Sequence, residues 1–203
     1  MPSPTIEPAP QARQRLPRQV REQQMLDAAV AVFSRRGFHL AAMDEIAEAA
    51  GVSKPMIYAY LGAKDELFIA CIRREAQRLM DLITAAVPAG LAPHEQLRRG
   101  LLAFFTFVAE HRDSWIVLYR QARVQGGPFA GEIAAARGRI IVLVAGLLAD
   151  SPQKERARST PVAHALVGAA EGLSEWGLDH PEESPEALVN RLMKIVWTGL
   201  APT

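Results

Sequence analysis

The sequence predicts an all-α protein, and three observations lead there. Apolar residues return at three- and four-residue steps in one segment after another, and most of those segments open or close on a helix-end signal. No segment sustains the period-two alternation that a half-buried strand requires.

Residues 1 to about 18 are rich in Pro, Gln and Ala without apolar periodicity, which predicts a disordered arm. Met25, Ala28, Ala29, Val32 and Phe33 form the stripe of a first helix, with Gly37 as its left-handed cap. Two short helices, Met43 to Ala50 and Lys54 to Leu61, flank Gly51-Val52-Ser53. Asp65 and Glu66 favour the start of a long helix with the stripe Phe68, Ile72, Leu79, Leu82 and Ile83, which Pro88-Ala89-Gly90 stops. A helix from about Pro93 to Glu110 buries Leu97, Leu101, Phe104, Phe105 and Val108. Asp113 reads as the N-cap of a helix carrying Trp115, Leu118 and Tyr119. Gly126-Gly127-Pro128 starts another, presenting Phe129, Ile133, Ile140, Val144 and Leu147. Polar residues 150–160 read as a mobile loop, and Thr160-Pro161 as the start of a helix over 161–178. Ser184-Pro185-Glu186 starts the last helix, over 185–199.

The two short helices carry the specific signal. A helix-turn-helix that reads DNA needs a tight turn, a small residue where its helices cross and apolar contacts behind its outward face. Gly51 supplies the turn, Ala47 the close approach, and Ile46, Ala50, Val52, Ile57 and Tyr60 the inward contacts. Ser53 is placed to cap the second helix, and Pro55 in its first turn forfeits only an amide without a partner. Lys54, Met56, Tyr58 and Ala59 remain for the outward face. Met56 either touches a thymine methyl or covers the helix.

From about Val20 to Phe68 the pattern Arg36-Gly37-Phe38, Ile46-Ala47-x-x-Ala50-Gly51-Val52-Ser53-Lys54 and Ile57-Tyr58-x-Tyr60-Leu61-x-x-Lys64-Asp65-Glu66-Leu67 resembles the DNA-binding domain of TetR-family repressors. The resemblance implies a third helix in the major groove, phosphate contacts by Tyr58 and Lys64, and an all-α homodimer whose last two helices form a four-helix bundle with their mates. DNA-contacting residues are accordingly expected at Arg21, Ser53, Lys54, Pro55, Met56, Tyr58, Tyr60 and Lys64. Ala41 and Ala42 stand where the family usually carries a hydroxyl, so that phosphate contact is expected to be missing. The domains expected are a basic arm over 1–18, a helix-turn-helix domain over 19–66 and a helical ligand and dimerisation domain over 67–203.

Composition narrows the alternatives. A net charge of +1 does not announce a nucleic-acid binder, so the distribution of charge must. Arg13, Arg15, Arg18 and Arg21 form a basic run beside the first helix, either a DNA-contacting arm or a solubilising tail. One cysteine, Cys71, excludes an internal disulfide, and in an apolar stripe it reads as a packing residue. Five scattered histidines lack metal-ligand spacing, so no metal or cofactor is expected. The run from Ile140 to Ala149 is about half a membrane span, and the prolines of the arm oppose a transit helix, which makes the cytoplasm the default.

The effector is expected to be an unidentified small molecule in a pocket lined by Phe104, Phe107, Trp115, Tyr119, His164, Glu171 and Trp176. His164, Glu171 and Glu175 share one helical stripe, which fits a solvated rim as well as a polar patch in that pocket. The homodimer is expected to close through Leu166, Leu173, Leu188, Leu192 and Ile195, with Gly168, Ala169 and Gly172 permitting close approach. The partners implied are a pseudo-palindromic double-stranded operator and a second copy of the chain. No catalytic motif appears, so no enzyme is expected; the rivals weighed are a regulator without a ligand and, behind it, a helical enzyme.

Overall fold

A computed structural model describes residues 17–121, 127–148 and 154–200. All its elements are helical: α1 (Arg18–Leu40), α2 (Met43–Ala50), α3 (Lys54–Leu61), α4 (Lys64–Ala86), α5 (Pro93–Glu110), α6 (Arg112–Trp115) running into a π-helical turn (Ile116–Gln121), α7 (Gly127–Leu148), α8 (Lys154–Leu178) and α9 (Pro185–Leu200). The arm expected over 1–18 lies outside the described residues except at its end, where Arg18 already belongs to α1. Helices α1 to α3 form a head and α5 to α9 a body, with α4 common to both.

Local chemistry explains most helix ends. Gly37 does leave helical geometry, at φ 74° and ψ 164°, but the chain makes one more turn to Leu40, with the Ala41 N–H donating to the Gly37 carbonyl at 3.1 Å. That bend carries Phe38 back toward the core. At the start of α4 the Glu66 carboxylate accepts the Ala63 N–H at 2.7 Å, half of a capping box. Gly62, at φ 76°, makes room for it, since a Cβ there would collide with that carboxylate. The Ser184 hydroxyl accepts the Ala187 N–H at 3.2 Å and caps α9 as expected.

Three expected ends are corrected. Asp113 is not an N-cap: α6 starts at Arg112, and the Asp113 carboxylate accepts the Ser34 hydroxyl of α1 at 2.7 Å. Ser53 precedes α3 without a side-chain capping bond; its carbonyl accepts the Met56 and Ile57 N–H groups at 2.9 and 3.4 Å. Helix α8 begins at Lys154, so Pro161 is interior and residues 154–160 are helix rather than loop. An interior proline removes one helical hydrogen bond, and spacing alone cannot tell it from a proline at a helix start. Leu82, expected in the buried stripe of α4, is exposed.

Head and body share one continuous core, running from Met25 in α1 to Met193 in α9. At its centre stand Phe33 and Phe38 of α1, Phe68 of α4 and Phe129 of α7. The Phe33–Phe68, Phe38–Phe68, Phe38–Phe129 and Phe68–Phe129 ring centroids are 4.8, 5.0, 4.9 and 5.1 Å apart. Edge and tilted contacts of this kind add about 0.5–1.5 kcal/mol per pair beyond area burial. Polar ties surround the rings. Arg74 of α4 reaches Asp27 of α1 at 2.8 Å, and Arg73 donates through Nε to Glu132 of α7 at 3.0 Å. Cys71 packs in the same seam, where burial pushes its thiol up to about 12, so it stays a protonated packing residue.

Two positive-φ glycines separate steric need from conformational need. Gly62→Ala is expected to destabilise the fold by about 2–3 kcal/mol, because strain adds to collision. Gly90→Ala, where nothing stands in the way, should lose about 1 kcal/mol. Urea denaturation of both variants checks this; equal losses would show that the Glu66 contact contributes nothing.

Candidate DNA-binding face and inner cavity

The turn between α2 and α3 is built on Gly51 at φ 64° and ψ 32°, the left-handed region a glycine enters without strain. Its N–H donates to the Glu48 carbonyl at 3.0 Å and the Val52 N–H to the Ala47 carbonyl at 3.0 Å, so the last carbonyls of α2 are satisfied. Ile46 and Ala47 of α2 and Ile57 and Leu61 of α3 are buried, which sets Pro55, Tyr58 and Ala59 outward. Tyr58 is 46% exposed. No side chain caps the N-terminus of α2 at Ala42, in line with the missing hydroxyl, and Asp44 and Glu45 occupy its first turn instead.

Positive charge collects round α3. Arg21 places a guanidinium nitrogen 3.5 Å from the Met56 sulfur, and Arg18 lies over the Tyr60 ring at 5.0 Å. Met56 and Tyr60 are thereby half-covered by α1 rather than free on the outer face. Lys64 donates to the His39 carbonyl at the end of α1 at 3.0 Å, with its ammonium 4.9 Å from the Phe38 ring. A cation there complements the negative end of α1 and is held at a fixed place. Lys54 pairs with Asp44 at 2.9 Å, and that hydrogen bond holds its ammonium above the usual lysine range. A phosphate must therefore compete with Asp44 for Lys54. Reading along the sequence missed both Asp44 and the stacking role of Arg18.

The body encloses a cavity of about 100 Å³. Its walls are Ala76, Leu79 and Ile83 of α4, Leu97, Gly100, Leu101 and Phe104 of α5, Trp115, Leu118 and Tyr119 around the π-helical turn, Ile133, Ala136, Arg137, Ile140, Val144 and Leu147 of α7, and Leu166, Val167, Ala170 and Glu171 of α8. Trp115 stacks on Tyr119 at 5.0 Å and meets Phe104 edge-on at 5.2 Å. The Trp115 indole N–H is buried and has no acceptor among the described residues. Charge enters this apolar wall through Arg137 and Glu171, whose Nε and Oε1 are 2.8 Å apart.

Of the pocket residues expected, Phe104, Trp115, Tyr119 and Glu171 line the cavity and three do not. Phe107 is buried in the core, edge-on to the His111 ring. His164 is exposed on α8. Trp176 is 40% exposed and stacks on His180 at 3.9 Å. Glu175 pairs with Arg120 of the π-helical turn. Arg137 was missed, although its place between Ile133 and Ile140 marks it as the polar residue on an apolar stripe.

Three of the five residues expected at the dimer contact are buried within the protomer instead. Leu166 lines the cavity, and Leu188 and Leu192 are buried within the protomer, on the face of α9 that packs on α5. Leu173 is half-buried, and only Ile195 of the five, 74% exposed, stands free of the protomer. The outward face of α8 presents Ala165, Ala169, Gly172 and Trp176. An amphipathic helix has one main apolar face, and α9 spends it inside its own chain.

Among the described residues no group of three or more His, Cys, Asp or Glu could hold a metal ion, and no helix is long and apolar enough to cross a membrane. Two family models match the chain: "Bacterial regulatory proteins, tetR family" over residues 25–71 and "Tetracyclin repressor-like, C-terminal domain" over residues 93–199. The chain is 31% identical over 189 residues to the HTH-type transcriptional activator FasR of Mycolicibacterium smegmatis, covering 92% of this chain and 86% of that protein. The crystal structure of a TetR-like transcriptional regulator from Rhodococcus sp. RHA1 matches with a TM-score of 0.79 and 50% identity, over 93% of this chain and 100% of that one. The FadR regulator of Bacillus subtilis, solved in complex with stearoyl-CoA, shares the fold at a TM-score of 0.73 and 18% identity, over 86% of this chain and 96% of its own. A helix-turn-helix head on an all-helical body, matched by both family models and by a relative along nearly its whole length, shows that the chain belongs to the TetR family of DNA-binding transcriptional regulators.

Proposed function

We propose that this regulator represses transcription as a homodimer on a two-fold-symmetric operator and releases it when a small molecule with an apolar body occupies the inner cavity. The observation that carries this reading is the double duty of two helices. Helix α4 presents Phe68 to the aromatic junction and Leu79 and Ile83 to the cavity, while α7 presents Phe129 to the junction and Ile133 and Ile140 to the cavity. An occupant that separates α4 from α7 therefore moves the support of the head. It changes operator affinity only by its differential affinity for the two arrangements. The stearoyl-CoA held by FadR supports an acyl-type occupant, and the apolar wall supports it independently.

One recognition helix makes too few base contacts to specify an operator, so two copies related by a two-fold axis read half-sites roughly 34–36 Å apart. The contact is assigned to the outward face of α8, at Ala165, Ala169, Gly172 and Trp176, with Ile195 of α9. On the DNA side Tyr58 and Lys64 bind phosphates at the edges of α3, Arg18 and Arg21 strengthen the same field from α1, and Ser53, Lys54, Pro55 and Met56 stand at or near the base edges. The basic residues of the arm, Arg13 and Arg15, fall outside the described residues.

Selection of bound sequences from random DNA is expected to enrich a pseudo-palindrome, and acyl-CoA thioesters added to that complex to release it. Ala170→Trp, which fills the cavity, should blunt the release. A complex indifferent to every acyl chain length would leave a regulator without this effector. On single-base operator variants, Tyr58→Phe and Lys64→Ala should weaken binding almost uniformly, because phosphate contacts set register without reading bases. A loss confined to one base position would reassign them to base readout.

Sedimentation of two variants places the interface. Ala169→Glu puts an unpaired charge on an exposed face, so a folded monomer is expected. Leu192→Asp puts one into the protomer core and should unfold the chain. A dimeric Ala169→Glu protein would move the interface elsewhere.

A further inference from the structure

Of the side chains lining the cavity, Arg137 and Glu171 are the ionised ones, and they stand together on facing helices. Their bond is single-point, Arg137 Nε to Glu171 Oε1 at 2.8 Å, whereas a guanidinium can grip an acidic group with two parallel donors. The pair is unequal in access. The Arg137 side chain is 34% exposed and that of Glu171 14%, so Arg137 is the more accessible of the two. Arg137 lies over Gly168, where a Cβ would stand 3.8 Å from Nη2, in ordinary van der Waals contact.

We infer that Arg137 selects the head group of the effector: an amphiphile lays its apolar chain inside the cavity and its acidic group takes Arg137 from Glu171. This rests on the cavity being the effector site. The charge logic favours an acid over a base. A guanidinium carries five N–H donors and offers an arriving acid a paired grip, whereas a cation reaches Glu171 only by displacing the guanidinium already bonded to it. A neutral head group offers Arg137 no charge-assisted partner and leaves the Arg137–Glu171 bond intact, so it gains little there. The exchange also loosens a polar tie between α7 and α8, which otherwise pack through Ile141, Ala145, Ala163 and Val167.

The test uses the full-length protein and three soluble eight-carbon probes, octanoate, octanol and octyltrimethylammonium, with binding followed by Trp115 fluorescence and by calorimetry. Octanoate is expected to bind about tenfold tighter than octanol, a difference of about 1.4 kcal/mol. Arg137→Gln should bring octanoate to the octanol affinity while leaving octanol unchanged, which also certifies that the variant is folded. Glu171→Gln, which removes the competitor, should tighten octanoate about tenfold. Equal binding of octanoate and octanol to the unaltered protein, or tightest binding of octyltrimethylammonium, overturns the assignment of Arg137 while keeping the cavity as a site. Failure of all three probes to bind removes the cavity reading itself, and this inference with it.

Discussion

Four phenylalanines drawn from three helices decide how this molecule is put together. Phe33 and Phe68 are fully buried, Phe129 nearly so, and Phe38 closes the group from the bent end of α1. Full burial of each ring contributes roughly 1.5–3 kcal/mol, more than the exposed ion pairs around the seam, each of which is worth about 0–1 kcal/mol. The head is thus fixed to the body by packing, and packing does not deform smoothly. Close-packed interfaces shift between discrete arrangements, which gives the DNA-binding head a defined set of poses to occupy.

That junction joins two surfaces with opposite chemistry. The DNA-binding face needs fixed positive charge, and local partners fix it: Lys64 against the His39 carbonyl and Phe38, Arg18 against Tyr60, Arg21 against Met56. The cavity needs the reverse, an apolar wall with charge admitted at one place. Phe38 belongs to both worlds, touching the Lys64 ammonium on one side and Phe129 of the cavity-bearing α7 on the other. A displacement of α7 therefore reaches Lys64 through a single intervening ring.

Much of this was legible in the sequence, and the physical reasons separate what was from what was not. Helices α2, α3 and α5 were found at their true ends, because Gly51, Pro55 and Pro93 act on the backbone within a residue or two. Of the inward set of the helix-turn-helix, Ile46 and Ile57 are buried, as is Ala47 at the close approach, while Ala50, Val52 and Tyr60 are half-buried. The hydroxyls and carboxylates were less legible. Ser53, Thr160 and Asp113 are all cap-competent residues, yet Ser53 makes no cap, Thr160 is mid-helix, and Asp113 turns to Ser34, a partner 79 residues away. A long-range partner leaves no local signature. The leucines expected at the dimer contact show a related ambiguity. Leu188 and Leu192 form an apolar stripe that fits a sister chain as well as α5, and only the packed fold shows that α5 has taken it.

On the proposed reading, cavity and recognition helices move as one mechanical unit. Ala59 is exposed on α3, while Cys71 is buried with its thiol held protonated, so a spin label attached at Ala59→Cys reports on the head alone. Pulsed electron paramagnetic resonance on the labelled dimer, without and with a saturating acyl-CoA, measures the separation of the two recognition helices directly. Occupancy is expected to shift this separation away from its value in the operator-bound dimer. An unchanged distance distribution, with Trp115 fluorescence showing the cavity filled, would contradict it.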